Sequence, residues 1–86
     1  MERLIRKVKK LLTERFKSAE IELEPLSSGT KITGTIVWKG FARFDELERQ
    51  EMLWRLFDRA LSQDERRKLS LIVTATPKEA TIFQSA

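Results

Sequence analysis

Apolar residues recur at three- and four-residue spacing through the opening of the chain, at Leu4, Ile5, Val8, Leu11, Leu12 and Phe16. That period predicts an amphipathic helix from about Glu2 to Phe16. Arg3, Arg6, Lys7, Lys9, Lys10 and Lys17 fall largely around its other side, which leaves one face for a core and one for solvent or a partner. The period then drops to two. In Ala19-Glu20-Ile21-Glu22-Leu23-Glu24 the aliphatic residues point one way and three glutamates the other, as in an edge strand protected by outward charge. Pro25 limits that strand, and Ser27-Ser28-Gly29-Thr30 supplies a turn in which Gly29 takes a positive φ. A second strand, roughly Lys31 to Trp38, places Ile32, Gly34, Ile36 and Trp38 on one side and Lys31, Thr33, Thr35 and Val37 on the other. Gly34 is expected to let a helix approach closely.

Gly40-Phe41-Ala42-Arg43-Phe44 leads into the longest helix. Asp45 caps it, with Glu48 in the capping-box position. Leu47, Met52, Leu53, Leu56, Phe57 and Ala60 form its apolar side, with Trp54 at the margin, and Arg49 is expected to pair with Asp45 or Glu46. Ser62 and Glu65 repeat the capping pattern at the head of a short helix that leads through Arg66, Arg67 and Lys68. Leu69 to Thr76 reads as the last strand, with Leu69, Leu71, Val73 and Ala75 toward the helices and Ser70, Ile72, Thr74 and Thr76 on the open face. Pro77 ends it. Beyond it the apolar period is weak; residues 81–86 are expected as a short C-terminal tail, in which Ile82 and Phe83 can dock on the body.

The order is thus helix, strand, strand, helix, short helix, strand. The first two strands suit a hairpin, and the helical crossover to the third permits a right-handed parallel pairing. The expected class is α+β: one α-β-β-α-α-β domain, with a three-stranded mixed sheet and its helices on one face.

Composition narrows the chemistry. At 86 residues the chain forms one domain with a modest core and no deep pocket. It has no cysteine and no histidine, which removes disulfides, thiolate chemistry and imidazole as base or ligand. Ser27, Ser28, Ser62 and Ser70 therefore have no histidine to activate them, and Glu20, Glu22 and Glu24 share a flat strand face that lacks a pocket to raise a proton affinity. No catalytic residue, metal site or cofactor is expected. The charged opening Met1-Glu2-Arg3-Leu4 argues against a secretory signal, and no apolar run approaches the roughly 20 residues of a bilayer span. A cytoplasmic protein without membrane contact is the expectation. The net charge of +4 is concentrated in residues 1–17, where seven basic and two acidic residues give +5. Such a helix attracts phosphate or an acidic protein face, or is simply solvated.

The run Gly40-Phe41-Ala42-Arg43-Phe44-Asp45-Glu46-Leu47-Glu48-Arg49-Gln50, followed by Leu53, Trp54 and Leu56, and then Lys68-Leu69-Ser70-Leu71-Ile72-Val73-Thr74-Ala75-Thr76-Pro77-Lys78-Glu79, resembles the BolA-like family. The similarity spans about residues 2 to 79, so that residues 1–80 read as a BolA-like α/β domain. It implies a fold like the KH type of RNA-binding proteins, association with monothiol glutaredoxins in iron–sulfur handling and, in some members, DNA binding and transcriptional control. It also implies a metal-ligand histidine just before the leucine-serine pair, a position held here by Arg67, which offers no lone pair to a metal. A second ligand in the loop is implied within Ser27 to Lys31, where no cysteine or histidine occurs. A shared cluster coordinated by this chain is accordingly not expected, whereas glutaredoxin contact without ligation stays open. The GXXG tetrad of a KH nucleic-acid site is missing, since Gly29 and Gly34 are five apart and Gly40 stands alone.

Two surfaces remain as candidates. Lys39, Arg43, Arg66, Arg67 and Lys68, with Trp38, Phe41 and Phe44 nearby in the chain, offer phosphate contacts and aromatic groups for nucleic acid. Val37, Ile72 and Thr74 on the open sheet face offer a protein contact. The expected function is a non-catalytic regulatory or binding protein, with nucleic acid as the most concrete partner class. The alternative is a protein-interaction module related to glutaredoxin partners, without its own metal ligation, acting as a monomer or weak dimer. Clustering of Arg43, Arg66, Arg67 and Lys68 on one face would favour the first, and dispersal beside an apolar open sheet the second.

Overall fold

The computed structural model describes residues 1–27 and 29–85, with the side chains of residues 83–85 outside that description. Helix α1 (Glu2–Arg15) is followed by strands β1 (Glu20–Pro25) and β2 (Ile32–Val37), and a 3-10 turn (Lys39–Arg43). Then come helices α2 (Glu46–Ala60) and α3 (Gln63–Arg67), strand β3 (Leu69–Ala75) and helix α4 (Pro77–Ser85). The periodic stripe of α1 buries Val8 and Leu12, and Phe16 closes the helix through its N–H to Leu12 O at 2.8 Å. These meet Leu53 and Phe57 of α2 over Ile21, Ile32 and Ile36 of the sheet, with Phe41 between them. Each such side chain contributes about 1.5–3 kcal/mol by leaving water. Leu47, expected on this face, is exposed instead.

The sheet order is β1-β2-β3, antiparallel then parallel, as the sequence predicts. Gly34 sits opposite Leu23. A Cβ there would strike the Glu22 carbonyl oxygen and come within 2.6 Å of Leu23 Cδ2, so the close approach is that of β1 and not of a helix.

The facing of β3 departs from expectation. Ile32 pairs with Leu69 but Gly34 pairs with Ile72, so β3 carries one more residue than β2 over this stretch. That bulge reverses the inside-outside alternation from Leu71 onward. Ile72 and Thr74, expected on the open face, are each only 3% exposed on the helix side, while Leu71 is 63% exposed. The Thr33 hydroxyl donates to Leu71 O at 2.7 Å in the bulge, and Gln50 Nε2 of α2 donates to Ile72 O at 3.0 Å along the strand. Ala75, expected toward the helices, pairs with Val37 and is buried on the opposite face, beside Ala80 of α4.

The segment expected as a tail is largely helical. Thr76 Oγ1 accepts from the Glu79 N–H at 3.2 Å while Glu79 Oε1 accepts from the Thr76 N–H at 2.7 Å, and Pro77 occupies the first helical position. This is a third capping box, after Asp45 with Glu48 and Ser62 with Glu65. Ile82 is exposed and does not dock, and the side chain of Phe83 lies outside the described residues, as does Ser28 in the expected turn.

Candidate functional site

At the C-terminal end of β2 the chain adds one more sheet bond, Trp38 N–H to Ala75 O at 2.9 Å, and then tightens into the 3-10 turn. Three aromatic rings meet there. Trp38 lies 5.0 Å from Phe16 and 5.1 Å from Phe41, both edge-on, and Phe16 lies 5.3 Å from Phe41. The indole Nε1 donates to Lys17 O at 3.2 Å, and Gly40 packs so closely on the six-membered ring that a Cβ would collide with it. Contacts from three sides therefore fix the indole. Beneath the turn, Arg49 of α2 is only 6% exposed. Its Nε donates to Phe41 O at 3.1 Å and Phe44 O at 2.9 Å, and its Nη1 reaches Glu79 Oε1 at 2.8 Å. Arg49 thus pairs with Glu79 across the fold, not with the expected Asp45 or Glu46.

Two open depressions flank the indole. One, of about 540 Å³, lies toward Lys17, Lys39, Pro77 and Ala80. The other, of about 440 Å³, is floored by Trp38, Phe44 and Met52 and rimmed by Arg15, Lys39 and Arg43. Lys39 and Arg43 are therefore brought together, joined by Arg15 from α1 and, across the indole, Lys17. Among the described residues none of these four cations makes an ion pair. Arg15 instead lies over the Phe16 ring, 5.1 Å from its centroid.

Arg66, Arg67 and Lys68 sit elsewhere. Lys68 O accepts from Ile32 N–H at 2.7 Å, at the start of β2, whereas Lys39 and Arg43 follow its end. The six-residue strand separates the two groups by roughly 20 Å. Arg66 is engaged, with Nε 3.4 Å from Asp58 Oδ1 and Nη1 donating to Leu61 O at 3.2 Å. Arg67 lies 3.8 Å from Asp64, and its carbonyl accepts from Lys31 Nζ. Lys7 of α1 binds Glu65 at 2.9 Å and so is tied to α3. Glu65 is held below the ordinary glutamate range by the Ser62 N–H and then by the Lys7 ammonium. The five cations do not form one face.

Of the sheet candidates, Val37 alone lines the open face. Ile72 and Thr74 face the core, and their places are taken by Leu71 and Val73. Val37, Val73 and Ala75 line a shallow depression of about 260 Å³ beside Glu20 and Glu22. Nothing in the alternation along β3 signals this exchange, because an extra residue becomes visible only when the strand is paired.

Among the described residues no group of three or more aspartates or glutamates could hold a metal, and no helix is long and apolar enough to cross a membrane. Arg67, at the position where the resemblance implies a ligand, is an exposed donor paired with Asp64. The described loop residues Ser27, Gly29, Thr30 and Lys31 offer no thiolate or imidazole. The residues present do not fit a shared iron–sulfur cluster.

No protein-family model matches the chain, and no curated protein does. Solved structures do. The BolA domain of SufE1 from Arabidopsis thaliana is similar with a TM-score of 0.67 at 22% identity, over 86% of this chain and 92% of that one. BolA1 from the same plant is similar with a TM-score of 0.70 at 22% identity, over 88% and 94%. A bol-like protein from Babesia bovis is similar with a TM-score of 0.55 at 16% identity, over 90% and 88%. The fold of this chain is the BolA-like fold, as the resemblance implies.

Proposed function

We propose that this chain is a non-catalytic, cytoplasmic protein-interaction module of the BolA-like kind, a partner for a glutaredoxin-type protein that ligates no metal itself. The dispersal of its cations carries the reading. Arg66 pairs with Asp58 and Arg67 lies near Asp64 at one end of the sheet, while Lys39 and Arg43 stand at the other. A phosphate backbone needs a continuous track of free cations. The exposed Leu71 and Val73 beside Val37 suit a protein contact.

Titration calorimetry against a monothiol glutaredoxin, apo and cluster-loaded, tests this. The expected result is saturable binding to both forms, with the visible spectrum of the cluster unchanged. No heat with either form would sink the glutaredoxin assignment, and a shifted cluster spectrum would contradict the absence of ligation.

Nucleic acid is the second reading, favoured by the grouping of Lys39 and Arg43 with Arg15 and Lys17. Fluorescence anisotropy with short single-stranded RNA, single-stranded DNA and duplex DNA across a salt series tests it. Saturable binding that persists near about 100 mM salt and falls steeply above it would restore that reading.

A further inference from the structure

We propose that the cleft beside Trp38 seats a large apolar side chain from an acidic peptide segment of a partner protein, which rests on the chain being a protein-interaction module. The cleft joins two features that a single occupant must satisfy. Its floor is apolar, formed by Phe44, Met52 and an edge of Trp38, and its volume of about 440 Å³ accommodates a leucine or phenylalanine side chain. Its rim is cationic, formed by Arg15, Lys39 and Arg43, and among the described residues none of them is paired with a carboxylate. An apolar ligand alone would leave three charges unmatched, and an anion alone would leave the floor wet. Carboxylates on either side of an apolar anchor answer both, and the cationic rim speeds their encounter. Met52 adds adaptability, since an unbranched thioether repacks around different anchors.

The alternative occupant of an apolar, cationic cleft is a nucleobase with its phosphates. A base needs a free aromatic face to stack on. Trp38 is not free to turn onto a base, because Phe16 and Phe41 meet it edge-on, Gly40 packs closely on its six-membered ring and its Nε1 donates to Lys17 O. Its rigidity makes it a wall of the cleft.

A fluorescein-labelled peptide of about ten residues, with one phenylalanine flanked by aspartates and glutamates, tests the site by anisotropy at about 100 mM salt. Its comparators are the same peptide with serine in place of phenylalanine, and single-stranded DNA of matching charge. Two variants carry equal changes in net charge, Lys39→Glu with Arg43→Glu at the cleft and Lys9→Glu with Lys10→Glu on the outer face of α1. All four side chains are exposed, and unchanged melting temperatures verify the fold. The expected result is saturable binding of the phenylalanine peptide, weakened about tenfold or more by the cleft variant and less than about threefold by the α1 variant. Absent binding, equal loss in both variants, equal binding of the serine peptide, or tighter binding of DNA through Lys39 and Arg43 would each overturn the proposal. If the peptide fails while the glutaredoxin titration succeeds, only the cleft assignment falls. If both fail, the interaction reading falls with it.

Discussion

Arg49 and Glu79, thirty residues apart in sequence, meet as a two-pronged ion pair, with Nη1 to Oε1 at 2.8 Å and Nη2 to Oε2 at 3.5 Å. The same guanidinium holds the carbonyls of Phe41 and Phe44 through Nε. One side chain thus fastens the 3-10 turn, the start of α2 and the first turn of α4 together. Replacing Arg49 by alanine takes the side-chain donor from the Phe44 carbonyl, leaves the Phe41 carbonyl with the Phe44 N–H alone, and strips Glu79 of its cation. The expected loss is about 2–4 kcal/mol, read as a lower urea midpoint at unchanged slope. Arg49→Lys should recover only part of it, because an ammonium cannot span the carbonyls and the carboxylate in one plane. Full recovery by lysine would show that charge alone matters.

Acid should weaken the fold through two carboxylates. Glu79 is held below the ordinary glutamate range first by the Arg49 guanidinium and then by the Thr76 N–H, and Glu65 by the Ser62 N–H and then Lys7. In both the folded chain binds the proton less readily than the unfolded chain. Their stabilisation is therefore complete above the ordinary value of 4.5 and is lost as pH falls through the depressed folded values. Melting temperature followed from about pH 7 to about pH 3 should drop in that window, and a Glu65→Gln, Glu79→Gln double variant should drop less. An equal drop would assign the acid sensitivity to other carboxylates.

Gly34→Ala should destabilise by about 1–3 kcal/mol, since the new methyl meets the Glu22 carbonyl and Leu23 on β1. Thermal or urea unfolding checks this. A neutral result would mean that β1 moves aside freely.

Thr74 offers the opposite sign. Its hydroxyl is buried and finds no hydrogen-bond partner among the described residues. Thr74→Val keeps the shape and removes the orphan, so a gain of about 1 kcal/mol is expected in urea unfolding. A loss instead would reveal a partner for that oxygen, such as an ordered water.

The elements most legible from the chain were those announced by local chemistry. Asp45 with Glu48 and Ser62 with Glu65 marked two helix starts, and both capping boxes form. Thr76-Pro77-Lys78-Glu79 carries the same signature, but the weak apolar period after it hid α4. Long-range geometry was not legible. The Arg49–Glu79 pair needs the tertiary fold, so only neighbours such as Asp45 could be considered. Of the basic residues, Lys39 and Arg43 do share a cleft, yet Arg15 was hidden among the charges of α1. Arg66 and Arg67 were isolated from that cleft by the length of β2, which adjacency in a list of cations does not convey.

The extra residue in β3 has a consequence for how this strand tolerates change. Upstream and downstream of it the chain is read in two different phases. A saturation scan across Leu69–Ala75 should therefore show no simple every-other-residue rhythm. Leu69, Ile72 and Thr74 should reject polar replacements, and Leu71 and Val73 should accept them. Removing Ser70 would set Leu71 opposite Thr33 while Leu69 stays opposite Ile32 and Ile72 opposite Gly34. The two phases would merge into one with Leu69, Ile72 and Thr74 still toward the core, so this deletion should do less harm than one elsewhere in the strand. Point mutations in β3 test individual packing contacts, whereas a deletion tests the strand's timing.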